Sequence, residues 1–403
     1  GCRNKHEPEA IGPYDFCVTL NDCSAGRVCL QNLCVDPTTE FLEACAVSMP
    51  CPDLPGATTD LASEVDVREG AAAMEANRLL VVRTILGVDM YAYLFDASIP
   101  LAPALDLDGV SIVDVPAEPD RPRLTCTGFG YGLAWTDSRL GERSVWFGRV
   151  TRDGVPVTSD VLVSRRGREA DLAWTGNDFG ITWTNPPGER DPGVWFQRVD
   201  GVGFLETDDP LLVADRVNGG PAYPSIAHDG VDRFAIAWND GTIVRFALVD
   251  AAGSVVFNDQ IGMGASGARA VQVVYNGDGW GVMWRDANGA TLRSLEADGL
   301  PRAGPTPLGT FAGDVDEHRL MWAGDRYWGA WADPTLSPGS ITISAADIDA
   351  VVLDSTTVNG GGVSASPPHL FGASGIAGVV FSVETRPGEP NPDDLVYSTV
   401  FCN

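Results

Sequence analysis

Lysine is almost missing from this 403-residue chain: Lys5 stands alone, and the other 26 of its 27 basic residues are arginine. Codon bias in a high-GC genome accounts for that ratio, yet it has a chemical consequence. No lysine lies beyond the N-terminal tail, which excludes Schiff-base and lysine-nucleophile mechanisms from the folded body. Histidine is scarce too: His6 lies in the tail, His318 and His369 at expected strand starts, and His228 in an expected hairpin turn. No G-x-S-x-G, H-E-x-x-H or glycine-rich phosphate loop occurs, so the signatures of serine hydrolases, zinc proteases and nucleotide sites are absent. No run approaches the ~18 apolar residues of a membrane helix. No Lys/Arg cluster offsets the net charge of −28, and a surface of that sign repels phosphate backbones, which argues against nucleic acid as a partner.

The chain is rich in punctuation. Forty-six glycines and 28 prolines cut it into short pieces, and an apolar fraction of 44% supplies a sizeable core. That combination favours many strands and turns over long helices. Nine cysteines are present, seven of them within the first 51 residues: Cys2, Cys17, Cys23, Cys29, Cys34, Cys45 and Cys51, followed by Cys126 and Cys402. A zinc site asks for C-x2-C pairs or accompanying histidines, whereas the spacing from Cys17 is C-x5-C-x5-C-x4-C with His6 as the only nearby histidine. Disulfides are therefore expected, with no metal, and with them an oxidising compartment and export.

The stretch CVTLNDCSAGRVCLQNLCV (17–35) resembles a small cysteine-rich module, DCxxGxxCxxxxC, of exported proteins in high-GC Gram-negative bacteria. The resemblance implies a two-bridge knot; an interleaved pairing, Cys17–Cys29 and Cys23–Cys34, is expected, although spacing does not fix connectivity. The opening Gly-Cys resembles the end of a bacterial lipobox, which implies lipidation of Cys2 and an even set of eight cysteines for bridging. A bridged or unmodified Cys2 is the alternative. Together these features predict an outer-membrane lipoprotein or extracellular surface protein, touching membrane only through its lipid. The expected organisation is a tail at 1–16, the knot at 17–35, a linker at 36–61 and a repeat domain at 62–403.

The repeat domain shows itself in one heptapeptide. FAIAWND (234–240) recurs as YGLAWTD (131–137), FGITWTN (179–185), WGVMWRD (280–286) and YWGAWAD (327–333), with decayed copies LLVVRT (79–84) and AGVVFSVE (377–384). Taking Arg83, Trp135, Trp183, Trp238, Trp284, Trp331 and Phe381 as equivalent gives steps of 52, 48, 55, 46, 47 and 50 residues. In each unit an apolar strand leads through a Gly turn into the tryptophan strand. Asp or Asn two residues after the Trp is placed to close an Asx-turn, and two more strands follow. Four strands per unit make a propeller blade. Within FAIAWND, Phe234, Ile236 and Trp238 alternate with Ala235 and Ala237. One face is bulky, one is small and neither is charged, as a sheet wedged between copies of itself requires, the bulky face being expected on the next blade's small face. The units resemble an exported bacterial repeat of the form P-x-φ-x-x-D/N-G-x-x-φ-φ-φ-x-W-x-D followed by a φ-x-x-R-V-x-x-D-G strand pair. That resemblance implies a β-propeller on a secreted or surface protein and carries no general activity. The expected fold is all-β: a seven-bladed propeller, with six or eight as alternatives, closed by SEVDV (63–67) completing the last blade. Bridges from Cys126 and Cys402 to Cys45 or Cys51 are placed to staple the linker to it.

Propellers bind at the mouth of the central channel. Aligning first strands gives one polar position occupied by Arg123, Asp171, Ser225, Gln272, Arg319 and His369, each followed by an apolar residue. A variable polar ring on an apolar scaffold suits a binding mouth, although strand starts facing solvent are polar in any case. A glycosidase needs two or three convergent carboxylates, and this ring offers Asp171 with Glu317 nearby. A sialidase would need an arginine triad and S-x-D-x-G-x-T-W boxes; Arg123 and Arg319 are present, the boxes are not. The acidic loops DLDG (106–109) and NPDD (391–394) lack the D-x-D-x-D-G spacing of a calcium loop. The expectation is a non-catalytic surface protein without cofactor, calcium at an acidic loop being the minor alternative, that binds other surface proteins or glycans. Its rivals are a carbohydrate-active or carbohydrate-binding propeller, and a structural subunit of a larger extracellular assembly.

Overall fold

A computed structural model provides the structure. It describes residues 15–16, 28–30, 33–35, 58–62, 70–75, 78–85, 89–96, 109–113, 118–157, 159–185, 191–215, 223–264, 271–286, 288–310, 318–332, 340–359, 368–373, 376–384 and 393–401. In the cysteine-rich stretch, β1 (Asp15–Phe16), β2 (Val28–Leu30) and β3 (Leu33–Val35) form a small sheet in the order β1-β3-β2, which sets Cys29 across from Cys34. The expected lipidation at Cys2 and Cys17, Cys23, Cys45, Cys51 and Cys402 fall outside the described residues. Cys126 is disulfide-bonded.

After β4 (Thr58–Ala62) the chain builds an all-β propeller. Six blades each use four consecutive antiparallel strands. The first is β5 (Gly70–Glu75), β6 (Arg78–Ile85), β7 (Asp89–Asp96) and β8 (Val110–Val113); the second is β9 (Asp120–Cys126), β10 (Tyr131–Asp137), β11 (Ser144–Val150) and β12 (Val161–Ser164). The third comprises β13 (Arg168–Trp174), β14 (Asp178–Asn185), β15 (Gly193–Asp200) and β16 (Leu211–Asp215), the fourth β17 (Ser225–His228), β18 (Arg233–Asp240), β19 (Ile243–Asp250) and β20 (Val255–Met263). The fifth holds β21 (Gln272–Tyr275), β22 (Gly279–Arg285), β23 (Gly289–Glu296) and β24 (Thr306–Thr310), and the sixth β25 (His318–Ala323), β26 (Arg326–Ala332), β27 (Ser340–Ala346) and β28 (Val352–Asn359). A composite sheet joins β29 (His369–Ala373), β30 (Ile376–Glu384) and β31 (Asp393–Phe401) to β4. The first strands adjoin in succession from β5 to β29, and β29 returns to β5.

Two expectations are corrected here. The strand that pairs with β31 is Thr58–Ala62, with Leu395 across from Ala62 and Ser398 across from Thr58. The segment SEVDV (63–67) lies outside the described residues. SEVDV alternates and TTDLA, three polar residues followed by two apolar ones, does not, so alternation pointed to the wrong one of two adjoining five-residue windows. The strand that completes the last sheet thus lies at 58–62, overlapping the stretch expected as linker. The second correction concerns the direction of stacking. Phe234, Ile236 and Trp238 pack on Ala173, Val194 and Phe196 of the preceding blade, while Ala235 and Ala237 receive Trp280, Val282 and Trp284 of the following one. The bulky face meets the previous blade's small face, because strand twist and chain direction set which neighbour each face meets.

The heptapeptide now has a physical cause. All five of its tryptophans are at most 1% exposed, each between two sheets. The glycine three residues before the Trp is a seat for the aromatic of the next blade: a Cβ on Gly132 would overlap the edge of the Phe179 ring, one on Gly180 that of Phe234, and one on Gly281 that of Tyr327. Where the sixth blade puts Trp328 at that position, the next sheet answers with the small Ala377, and both join one buried cluster. The Asx-turn expectation holds at Asp137, whose Oδ1 accepts from the Arg139 N–H, and at Asp286, which accepts from the N–H groups of Asn288 and Gly289. Asp240 instead accepts from the Arg245 guanidinium at 3.1 Å.

Candidate functional site at the channel mouth

Strand register puts the six aligned residues at one level. Arg123, Asp171, Ser225, Gln272, Arg319 and His369 each lie across from the residue just before the tryptophan or its equivalent: Ala134, Thr182, Ala237, Met283, Ala330 and Val380. The first blade puts Ala71 there, across from Val82. The ring is not uniformly open. Arg123, Asp171 and Gln272 are half-buried, whereas Ser225, Arg319 and His369 are buried. His228 ends β17 instead of lying in the turn, and its Nδ1 accepts from the Gly230 N–H.

The ring side chains link neighbouring blades. Asp171 Oδ2 accepts the Ile226 N–H at 3.1 Å, and its Oδ1 accepts the Leu172 N–H at 3.0 Å. Burial raises the Asp171 pKa above the usual carboxylate value, and the Arg123 charge, the Ile226 N–H and the Ser225 hydroxyl oppose that rise. Ser225 Oγ in turn accepts the Val273 N–H at 3.3 Å. One polar relay thus runs from β9 through β13 and β17 to β21. Elsewhere Gln272 donates to the Val271 carbonyl, Arg319 to that of His318 and Arg123 to that of Pro122.

A second layer, two residues upstream, was not legible in the sequence. Arg121, Glu169 and Tyr223 have φ of 50°, 56° and 44°, left-handed conformations rare for such side chains. The strand ladders shift register at the first two, between Arg168 and Asp171 and opposite Ala134–Thr136. Arg121 reaches Glu169 at 2.7 Å and lies over the Tyr223 ring at 5.3 Å. Three non-glycine residues in left-handed backbone, from three successive blades, thus touch one another through Arg121. The cavity they share with Arg123 and Gln272 has a volume of about 10 Å³, room for roughly one water.

No group of His, Cys, Asp and Glu suited to a metal occurs among the described residues. Of the two acidic loops, only Gly109 and the backbone of Asp393 and Asp394 are described. Glu317 lies outside the described residues.

No protein-family model and no curated protein matches the chain. Among solved structures, the phage phi92 endosialidase is similar, with 10% identity and a TM-score of 0.50, covering 87% of this chain and 69% of that one. A prolyl endopeptidase matches at 14% identity and TM-score 0.49, over 84% of this chain and 51% of the other. TolB from Acinetobacter baumannii matches at 9% and 0.42, over 70% of this chain and 64% of its own. Likeness at these identities extends to the fold and no further.

Proposed function

We propose that this protein is a non-catalytic binding or assembly platform of the bacterial surface: a seven-bladed ring, closed by the composite sheet, that presents its loop faces to surface proteins or glycans. Export, bridging of the eight cysteines and lipid anchoring through Cys2 belong to the same reading, supported by the cysteine module and the lipobox-like Gly1-Cys2 pair. The carrying observation is the state of Asp171. Its carboxylate is engaged by the Ile226 N–H, the Ser225 hydroxyl and the Arg123 charge, and the adjoining carboxylate, Glu169, is ion-paired to Arg121. Groups so engaged stiffen the mouth and are poorly placed for general acid–base work on a substrate.

Two measurements test the reading. The purified full chain, incubated with α- and β-linked oligosaccharides, is expected to turn none over, and Asp171→Asn is expected to behave identically. Turnover by the wild type that disappears in Asp171→Asn overturns the proposal in favour of an enzyme. The intact mass of protein isolated from its native membrane is expected to carry acyl chains and no free thiol among the eight remaining cysteines.

A further inference from the structure

Away from the axis, a cleft of about 390 Å³ opens where the second blade crosses into the third, within the size range of small-ligand sites. Its floor is a cross-strand tryptophan pair, Trp183 on β14 facing Trp195 on β15. Its walls come from the β12–β13 crossing, with Arg165 and Arg166, and from Asn185 at the end of β14 and Asp191 just before β15. Trp195 is half-buried, so part of its ring remains open.

Three observations mark this cleft as built. Asp191 has φ 55°, and its carbonyl takes two hydrogen bonds, from Asn185 Nδ2 at 3.1 Å and from Trp195 Nε1 at 3.2 Å. Those bonds fix the indole and the amide, including which amide atom points away from Asp191. The remaining amide atom, Asn185 Oδ1, is a buried acceptor without a protein partner, and Trp183 Nε1 is a buried donor without one; the residues are 6% and 1% exposed. The second blade supplies an internal control. Its equivalent pair, Trp135 and Trp146, is closed by Arg139, which stacks on Trp146 at 4.1 Å and is held by Asp160 at 2.6 Å. Among the described residues no cation stacks on Trp195 in that way.

We infer that this cleft binds a neutral pyranose unit of a glycan, with the sugar's C–H face on Trp195 and its hydroxyls completing Asn185 Oδ1 and Trp183 Nε1. An orphan acceptor and an orphan donor on residues that line one cleft are matched by hydroxyls, which donate and accept at once. A carboxylate offers only acceptors and an ammonium only donors. Arg165 and Arg166 are balanced by Glu142 and Asp191, with Arg166 and Glu142 paired at 2.6 Å, so the cleft favours no net charge in its ligand. Pairing both orphans removes a standing desolvation cost, and that gain makes the site selective for polyols over flat apolar molecules.

The inference goes beyond the platform reading and uses none of the ring residues. Its test is a glycan array of neutral and carboxylated oligosaccharides probed with the full chain, followed by fluorescence titration of the strongest neutral ligand. Trp195→Leu, which keeps apolar cover for the strand below, and Asn185→Ala are each expected to weaken that ligand at least about tenfold. Trp195→Phe is expected to recover part of the loss, and Phe204→Ala, an exposed aromatic elsewhere, to bind as the wild type. The inference is overturned if no neutral glycan binds, if only carboxylated ones do, or if affinity survives both Trp195→Leu and Asn185→Ala in proteins of unchanged Tm. Those failures leave the turnover result at Asp171 untouched, so the two readings fall separately.

Discussion

Asp171 illustrates how one side chain reports its surroundings. Burial raises its pKa, and Arg123 beside it opposes the rise without cancelling it. A carboxyl whose folded pKa lies above the unfolded value favours folding most while both states are protonated. As pH climbs past the ordinary value of 3.8, the unfolded chain ionises first, and the contribution declines until the folded carboxyl has ionised too. The stability of wild type minus that of Asp171→Asn, measured by urea unfolding between about pH 3.5 and 7, is therefore expected to fall with rising pH. Arg123→Gln removes the opposing charge, so it is expected to extend the same decline to higher pH. A flat difference would mean that Asp171 titrates as it does in the unfolded chain. The sequence alignment found this position because strand register repeats in every unit. It did not find that Ser225, Arg319 and His369 are buried, since alternation sorts residues by face and does not say how deep each one lies. Nor did it find Arg121, Glu169 and Tyr223, whose positive φ is a conformation that sequence reading reserves for glycine.

At the level of the strand, alternation of bulky and small residues was fully legible, because burial on both faces leaves no polar face to confuse it. What alternation lacks is direction: it says that a large face must meet a small one, not whether the partner comes before or after in the chain. The glycine seats carry the consequence. At Gly180 an added Cβ would overlap the edge of the Phe234 ring and lie 2.9 Å from the Phe196 ring, and both aromatics are buried. Gly180→Ala is expected to destabilise by about 1–3 kcal/mol through overpacking, read as a lower denaturation midpoint at unchanged m-value. Adding Phe234→Leu to Gly180→Ala should restore part of the loss, a coupling absent when the same Leu is paired with a distant mutation. Additive losses from Gly180→Ala and Phe234→Leu would show that the seat does not hold the ring.

Closure is a property of the whole molecule and the least visible in sequence. The repeat announces itself in chain order, but the joint between β31 and β4 brings residues 393–401 beside residues 58–62 across nearly the full chain, and no local pattern marks such a partner. The joint has a defined energetic role. Each of the six other blades is a meander whose strands are neighbours in sequence, so its pairing survives local opening; among the described sheets the composite one ties the two ends of the circle. Without β4, β31 becomes an open edge with unpaired N–H and C=O groups, the kind of edge that recruits another chain. Deletion of residues 1–62 is expected to lower Tm, broaden the unfolding transition, and produce dimers or larger species by size-exclusion chromatography with light scattering. A peptide spanning residues 56–64, added in trans, should return the monomer by refilling that edge, and a scrambled peptide of the same composition should not. A truncated protein that stays monomeric at unchanged Tm would mean that stacking of the inner strands, from β29 back to β5, closes the circle without help from the N-terminal strand.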